Sequence, residues 1–126
     1  MDMTPAGLLV REICEYLNVD VHSSDLGVVL IEKDGQQWRI DAAEIGQRLI
    51  ICSDLTTLEL EGFAADYYLS MNANLELMRG AWIGLGLDKV LRLYHQESLQ
   101  GLIAPQVVKI LERLVGLHRH IIENKT

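Results

Sequence analysis

The chain has few cysteines, few basic residues and no long apolar run, and each of these absences argues against a class of protein. Its only two cysteines, Cys14 and Cys52, lie within apolar patterns, which favours buried thiols in a reducing compartment over a disulfide framework. Basic residues are in the minority, with 11 Lys and Arg against 18 Asp and Glu, and the net charge of -7 argues against a nucleic acid ligand. The apolar runs at residues 28–31 and 49–52 are far shorter than a membrane span, and the amino terminus lacks a signal-peptide pattern. We therefore expect a cytoplasmic protein with no nucleic acid partner and no membrane insertion.

The apolar residues that are present are enough for one core. Of the 126 residues, 49% are hydrophobic and 23% are charged. A chain of this length and composition is ordinary for one globular domain. We therefore expect residues 1–126 to form a single domain.

The segment at residues 60–88 organises the predicted fold, because a helical pattern passes there directly into a strand pattern. Apolar residues recur at intervals of three or four, which predicts a helix over residues 60–78 with a buried stripe of Leu60, Ala64, Tyr67, Met71, Leu75 and Met78. From residue 81 the period drops to two, with Gly84 and Gly86 on one side of the predicted strand. This bare backbone fits either a bend within one protomer or a close subunit contact, and the residues alone favour the bend.

Residues 27–42 give the clearest hairpin signal, with two extended runs on either side of the turn dipeptide Asp34-Gly35. A two-residue turn creates one dry face and one mixed face. The predicted pairs are Ile31 with Trp38 and Val29 with Ile40 on the dry face, and Leu30 with Arg39, Glu32 with Gln37 and Val28 with Asp41 on the mixed face. A looser turn would exchange the two faces.

The remaining segments predict three strands and two terminal helices. Residues 48–54 are apolar on both faces at their centre, which indicates a central or covered strand. Residues 81–87 and 90–96 predict an antiparallel pair. Helices are predicted from Pro5 and from Pro105, because proline is tolerated in a first helical turn. The predicted order of elements is α-β-β-β-α-β-β-α.

No constellation of side chains predicts catalysis. His118 and His120 are two residues apart on a predicted helix and point in different directions, which does not suit one shared metal ion. Cys52 has no neighbouring positive charge in sequence to favour a thiolate, and Gly84-Leu85-Gly86 lacks the third glycine and the helix of a phosphate loop. We expect no enzyme, no catalytic residue, no metal and no cofactor. The apolar stripes exceed what a two-layer core absorbs, which predicts a protein contact unless the helices bury everything internally.

Two stretches in the second half of the chain resemble a known family. Met71-Asn72-Ala73-Asn74-Leu75 is similar to the Asn-Ala-Asn-Leu-like end of the second helix in the class I chaperones of bacterial type III secretion, the Tir chaperone-like family. Val90-Leu91-Arg92-Leu93, followed by the link to Ala104-Pro105 and the final helix, resembles the carboxy-terminal third of that family. The resemblance implies an α+β fold, a twisted antiparallel sheet packed by helices, and a homodimer formed through the second helix and the next strand.

The resemblance also implies a function and the residues that serve it. Such chaperones hold the amino-terminal chaperone-binding region of an effector extended, soluble and export-competent, without a nucleotide. The implied dimer interface comprises Leu75, Met78, Trp82, Gly84 and Leu85. The implied effector-binding residues are Leu9, Ile13, Leu17, Leu30, Ile40, Leu49 and Ile51. The implied partners are a secreted virulence effector, a second copy of the chain and the secretion ATPase, and the alternative is a structural or regulatory adaptor with the same fold, including a heterodimer subunit.

Overall fold

The computed structural model describes residues 5–17, 28–43, 46–57 and 65–124. Helix α1 spans Pro5–Leu17, and strands β1 (Val28–Lys33), β2 (Gln36–Ala43) and β3 (Arg48–Thr57) follow it. Two short helices, α2 (Ala65–Ser70) and α3 (Leu75–Met78), flank a 3-10 turn at Met71–Ala73. Strands β4 (Trp82–Leu85) and β5 (Val90–Ser98) and helix α4 (Ala104–Glu123) come last. The α+β class and the order of elements are confirmed, with the second helix divided into two pieces.

In the described part of the chain, five strands form an antiparallel sheet in the order β1-β2-β3-β5-β4. Strand β3 pairs with β2 on one side and with β5 on the other. The strand with the apolar centre is therefore the middle one, as predicted. Strands β1 and β4 are the two edges of the sheet.

The β1–β2 hairpin has the predicted two-residue turn. Asp34 and Gly35 both have positive φ, 53° and 81°, which is the geometry of a type I′ turn and explains the Asp-Gly dipeptide. Every predicted pair is present, from Ile31 opposite Trp38 to Leu30 opposite Arg39. The turn residues thus determine which side chains of both strands share a face.

One face of the sheet carries the core. Ile40 on β2 and Leu49 and Ile51 on β3 have no exposed surface, because α1 packs on β1 and β2 while α4 packs on β3 and on α1. Helix α4 buries one stripe of side chains there: Val107, Leu111, Leu114, Leu117, His118 and Ile121. Side chains alternate along a strand, so the residues between the core positions point to the opposite face.

The second helix differs from the prediction of an unbroken helix over residues 60–78. Leu60 and Ala64 lie outside the described residues, and the helical path stops at Asn74, whose φ of -88° and ψ of 82° are not helical. The Asn74 side chain accepts a hydrogen bond from the Leu77 N–H at 3.2 Å and so begins α3 as a new helix. Because the break changes the phase of the stripe, Met78 is buried while Leu75 is 77% exposed.

Helix α2 is fixed to the carboxyl half of α4. The Tyr67 hydroxyl donates a hydrogen bond of 2.8 Å to the Ile121 carbonyl, and the buried ring of Tyr68 meets the Tyr67 ring edge-on at 5.2 Å. The hydrogen bond joins α2 to α4, while the ring contact lies within α2, so the Tyr67 hydroxyl is the polar contact that positions the segment leading to the edge strand β4.

Strand β4 ends at Leu85, two residues before the end of the predicted strand at residues 81–87. The Gly86 N–H donates to the Val90 carbonyl at 2.9 Å, which closes a turn in which Lys89 has a φ of 64°. Strand β5 is correspondingly longer than predicted and reaches Ser98. Leu87 therefore belongs to the turn and is fully exposed.

The protomer's own side chains fill the space beside the two glycines of this hairpin. A Cβ atom on Gly84 would lie 3.2 Å from the Tyr94 ring, and one on Gly86 would lie 2.5 Å from an Asp88 carboxylate oxygen. A side chain at either position would therefore displace neighbours that belong to the same chain. This supports the within-protomer interpretation of the glycines.

Candidate functional site

A single row of side chains crosses the open face of the sheet from one edge to the other. The registers place Leu30 opposite Arg39, Arg39 opposite Cys52, Cys52 opposite Tyr94 and Tyr94 opposite Trp82. We refer to these five residues as the cross-sheet row. Leu30 is 55% exposed and Trp82 is 37% exposed, with Cys52 and Tyr94 half-buried between them. The row therefore offers apolar surface on a face that also holds charged groups.

The four members of the row on β1, β2, β3 and β5 lie in a shallow depression of about 630 Å³. Ile50, two residues before Cys52 on the same strand, adds a further half-buried apolar side chain to its lining. At the β4 end of the row, the Trp82 and Tyr94 rings stack at 5.5 Å with an angle of 14° between them. This depression is long, open and mixed in polarity, which suits an extended chain better than a compact metabolite.

A charged network borders the row. The Arg92 Nε donates to an Asp54 carboxylate oxygen at 2.7 Å, and its terminal nitrogens donate to the Asp88 carboxylate. The hydrogen bonds from Arg92 lower the pKa of Asp88, and the same bonds raise the pKa of Arg92. The Arg92 side chain has a relative exposure of 23%, so most of it is shielded from solvent. The network holds the turn after β4 against β3.

The thiols are unsuited to nucleophilic chemistry. Burial raises the pKa of Cys52, and the nearby Arg39 and Arg92 oppose this only in part. Burial also raises the pKa of Cys14, which is in the core. Both thiols are therefore protonated at neutral pH, which fits the predicted packing role.

The histidines are separated as predicted. His118 is buried and donates from Nε2 to the Asp54 carbonyl at 2.8 Å, whereas His120 is exposed. Burial lowers the pKa of His118, so the ring is neutral. His95 contacts Glu97 at 2.7 Å, and His22 lies outside the described residues. Within the described ranges, no three His, Cys, Asp or Glu side chains are grouped to hold a metal ion.

A second depression, of about 380 Å³, lies beside the amino-terminal end of α1. Pro5 and Leu9 line one side, and Leu99 and Leu102 of the β5–α4 link line another. Helix α1 also exposes Leu8 and Tyr16. This depression is wide enough for one or two apolar side chains of a bound chain.

The predicted effector-binding residues fall into three groups. Ile13, Ile40, Leu49 and Ile51 have no exposed surface, so in this structure they form the core and offer nothing for a ligand to touch. Leu30 lines the depression on the open face, and Leu9 lines the depression beside α1. Leu17 is half-buried at the end of α1.

The predicted set combined residues from both faces of the sheet. Ile40 and Ile51 pair with each other on the core face, whereas Leu30 pairs with Arg39 on the open face. The predicted set omitted Ile50, Cys52, Tyr94 and Arg39, which share the open face with Leu30. The predicted hairpin register already indicated part of this open face, because it paired Leu30 with Arg39 on the mixed face of the hairpin.

The predicted dimer residues also separate. Leu75, Trp82 and Leu85 are exposed at 77%, 37% and 51%, while Met78 is 1% exposed and belongs to the core. Gly84 lies under the Tyr94 and Trp82 rings. Trp82 points to the open face, and Leu85 shares the side of β4 that carries the buried Ile83. A partner that covers both Trp82 and Leu85 must therefore straddle the β4 edge.

No family model and no curated protein matches the sequence, whereas solved structures match its fold. The chain aligns with the HopA1–SchA chaperone–effector complex over 98% of each chain, with 17% identity and a TM-score of 0.77. It aligns with the ExsC–ExsE complex over 99% of this chain and 97% of that chain, with 18% identity and a TM-score of 0.78. The Yersinia pestis type III secretion chaperone SycH, in complex with a fragment of YscM2, aligns over 92% of this chain and 98% of that chain, with 13% identity and a TM-score of 0.64. The chain has the class I type III secretion chaperone fold.

The chaperone fold also occurs outside these complexes. YbjN from E. coli, a proposed transcription regulator, aligns over 97% of this chain and 93% of that chain, with 17% identity and a TM-score of 0.58. A fold alone does not determine an activity, so the function has to be argued from the surfaces described above. No helix among the described residues is long and apolar enough to cross a membrane.

Proposed function

We propose that the chain is a type III secretion chaperone that binds the amino-terminal chaperone-binding region of an effector in extended form. It acts in the bacterial cytoplasm, where it keeps the effector soluble and export-competent. The observation that carries the proposal is the part of the cross-sheet row from β1 to β5, where Leu30, Cys52 and Tyr94 leave apolar surface accessible on the open face of the sheet. Support also comes from solved proteins of this fold, one of which is named as a chaperone in complex with its effector.

Strand β1 is suited to receive an extended segment. It is an edge strand, and Lys33 and Gln36, which flank the two-residue turn, form a hydrogen-bonded pair with each other. Because such pairs alternate along the ladder, the main-chain groups of Leu30 and Glu32 point away from β2. A segment added here gains main-chain hydrogen bonds, and its alternate side chains extend the cross-sheet row beyond Leu30.

The depression beside α1 supplies a second anchor for the same segment. Leu9, Leu99 and Leu102 line it, so an apolar side chain of the client gains free energy by leaving water there. Full burial of one large apolar side chain is worth about 1.5 to 3 kcal/mol. A few such anchors offset the entropy lost when a disordered segment is ordered, which makes a nucleotide unnecessary for binding.

The chaperone acts as a homodimer in this proposal. Leu75, Trp82 and Leu85 carry exposed apolar surface at and beside the β4 edge, and a second copy would remove this surface from water. The further partner is the secretion ATPase, which receives the loaded chaperone. The chain itself is proposed to have no enzymatic activity and no cofactor.

A structural or regulatory adaptor of the secretion system is the second candidate, either as a homodimer or as one subunit of a heterodimer. The specific observation in its favour is the charged border of the row, where Arg92 joins Asp54 and Asp88. Charged groups held in fixed positions match the polar surface of a folded partner. The two candidates therefore differ in the state of the bound protein, which is extended in the first and folded in the second.

The test begins with purification of the tagged protein from its native host and identification of any stoichiometric partner by mass spectrometry. The amino-terminal fragment of that partner is then digested by a protease alone and in the complex. A chaperone predicts a fragment that is cleaved rapidly alone and protected in the complex, with protection reduced by Leu30→Glu. A fragment that resists the protease alone is a folded partner and favours the adaptor, and a monomer without any partner argues against both.

A further inference from the structure

The β4 edge of the sheet is closed by a side chain of the same protomer. An edge strand presents unpaired N–H and C=O groups to which another chain can add. At β4, the Asn72 Nδ2 donates to the Ile83 carbonyl at 2.9 Å, and the Ile83 N–H donates to the Asn72 Oδ1 at 2.6 Å. Both main-chain groups of the residue are thus occupied from the side opposite to β5.

The neighbouring donor on this edge is also occupied. The Ala81 N–H donates to the Met78 carbonyl at 2.9 Å, in the link that leads into β4. Ala81 immediately precedes β4 and lies two residues before Ile83, so its N–H is the donor next to Ile83 where this edge begins. A strand that approached β4 would therefore find two successive N–H groups already bonded within the protomer.

We propose that Asn72 is an edge-closing residue, whose carboxamide replaces a neighbouring strand at Ile83 and prevents main-chain pairing along β4. The oxygen of a primary amide and the N–H syn to it point in the same direction, so they satisfy the C=O and N–H that a single strand residue directs to one side. The 3-10 turn at Met71–Ala73 holds this amide beside the strand. A second copy that covers Trp82 and Leu85 consequently contacts this edge by side-chain packing and does not continue the sheet.

The closure also distinguishes the two edges of the sheet. In the proposed chaperone, strand addition by a client is confined to β1, while β4 is reserved for side-chain contacts. The inference about Asn72 does not require that proposal, because it concerns hydrogen bonds within one protomer. Its test therefore uses the purified protein without any client.

The experiment compares Asn72→Ala with Asn74→Ala. Both remove a structural asparagine from the same segment, but Asn74 caps α3 and leaves the bonds to Ile83 in place. Asn72→Ala should reduce the hydrogen-exchange protection of the Ile83 amide by about tenfold, because that amide loses its acceptor. It should also form assemblies larger than the parent in sedimentation velocity, with increased thioflavin T fluorescence from added β pairing. Asn74→Ala should change neither the Ile83 protection nor the size distribution.

Each other outcome contradicts the proposal. Unchanged Ile83 protection in Asn72→Ala would show that the side chain does not occupy the edge in solution. If Asn72→Ala and Asn74→Ala assembled to the same extent, general destabilisation of the segment would explain the assembly, and loss of the bonds to Ile83 would not. If Asn72→Ala does not fold, the wild-type protein decides by NMR: the Asn72 side-chain amide protons should exchange at least about tenfold more slowly than those of the exposed Asn74, and equal rates would overturn the proposal.

Discussion

Replacing Leu30 by alanine tests the proposed client surface with little disturbance to the protomer. The side chain is 55% exposed and lies at the β1 end of the cross-sheet row. Full burial of a leucine side chain is worth about 1.5 to 3 kcal/mol, and only the exposed part remains for a client to cover. Leu30→Ala should therefore cost about 0.8 to 1.7 kcal/mol of binding free energy, which is about 4- to 15-fold in Kd.

The assay is fluorescence anisotropy of a labelled amino-terminal effector fragment, titrated with each variant at constant salt concentration. Ile122→Ala is the matched control, because Ile122 is 40% exposed on α4, the helix that packs on the other face of the sheet. Both variants should keep a free energy of unfolding within about 1 kcal/mol of the parent in urea titrations. The control should bind the fragment with the Kd of the parent.

Two results would refute the reasoning. A Kd for Leu30→Ala that equals that of the parent would show that the client does not cover the β1 end of the row. Equal weakening by Leu30→Ala and Ile122→Ala would show that the loss is unrelated to the open face. A loss far above the expected range, with unchanged stability, would indicate that Leu30 inserts into a pocket of the client and would leave the assignment intact.

Three further predictions concern association, packing and acid sensitivity. Leu85→Asp and, separately, Trp82→Asp should convert the proposed dimer to monomers in sedimentation velocity, because a buried unpaired charge costs about 3 to 5 kcal/mol; a dimer retained by both would place the contact elsewhere. Tyr67→Phe should lower the free energy of unfolding in urea by about 1 kcal/mol, because it removes the 2.8 Å hydrogen bond to the α4 carbonyl, and an unchanged value would count against that anchor. The lowered pKa of His118 means that the unfolded chain takes up its proton first as the pH falls, so stability should decline below the ordinary pKa of 6.5. His118→Gln should lessen the decline between pH 7.5 and pH 5.5 in urea titrations, and an equal decline would show that other groups cause it.

The sequence predicts the central hairpin well because its turn has one strongly preferred geometry. Asp34 and Gly35 fix the two-residue turn, and the turn fixes the register of both strands. The final helix is equally predictable, since its buried stripe repeats with an unbroken helical period. The expectation that β3 is central follows from its apolar residues on both faces.

The second helix and the client surface are less predictable for physical reasons. Apolar spacing continues through Asn74, so periodicity alone gives no sign that the asparagine acts as a cap and starts a new helix. The effector-binding set mixed Leu30 with Ile40 because apolar character does not reveal whether a strand residue faces helices or solvent. The hydrogen bonds of Asn72 to Ile83 join residues whose contact depends on the turn between them, and no sequence pattern specifies them.

The two tryptophans of the chain differ in exposure, since one is buried in the core and the other is exposed at an edge of the sheet. They can therefore serve as separate fluorescence reporters. Trp38 is 1% exposed and meets the His118 ring at 5.5 Å, whereas Trp82 is 37% exposed at the strand edge. Emission from the first follows melting of the interior, and emission from the second follows contact with another molecule. Fluorescence of a Trp82→Phe variant should therefore report the interior alone, and under conditions in which the protomer stays folded its difference from the parent reports assembly without an attached dye.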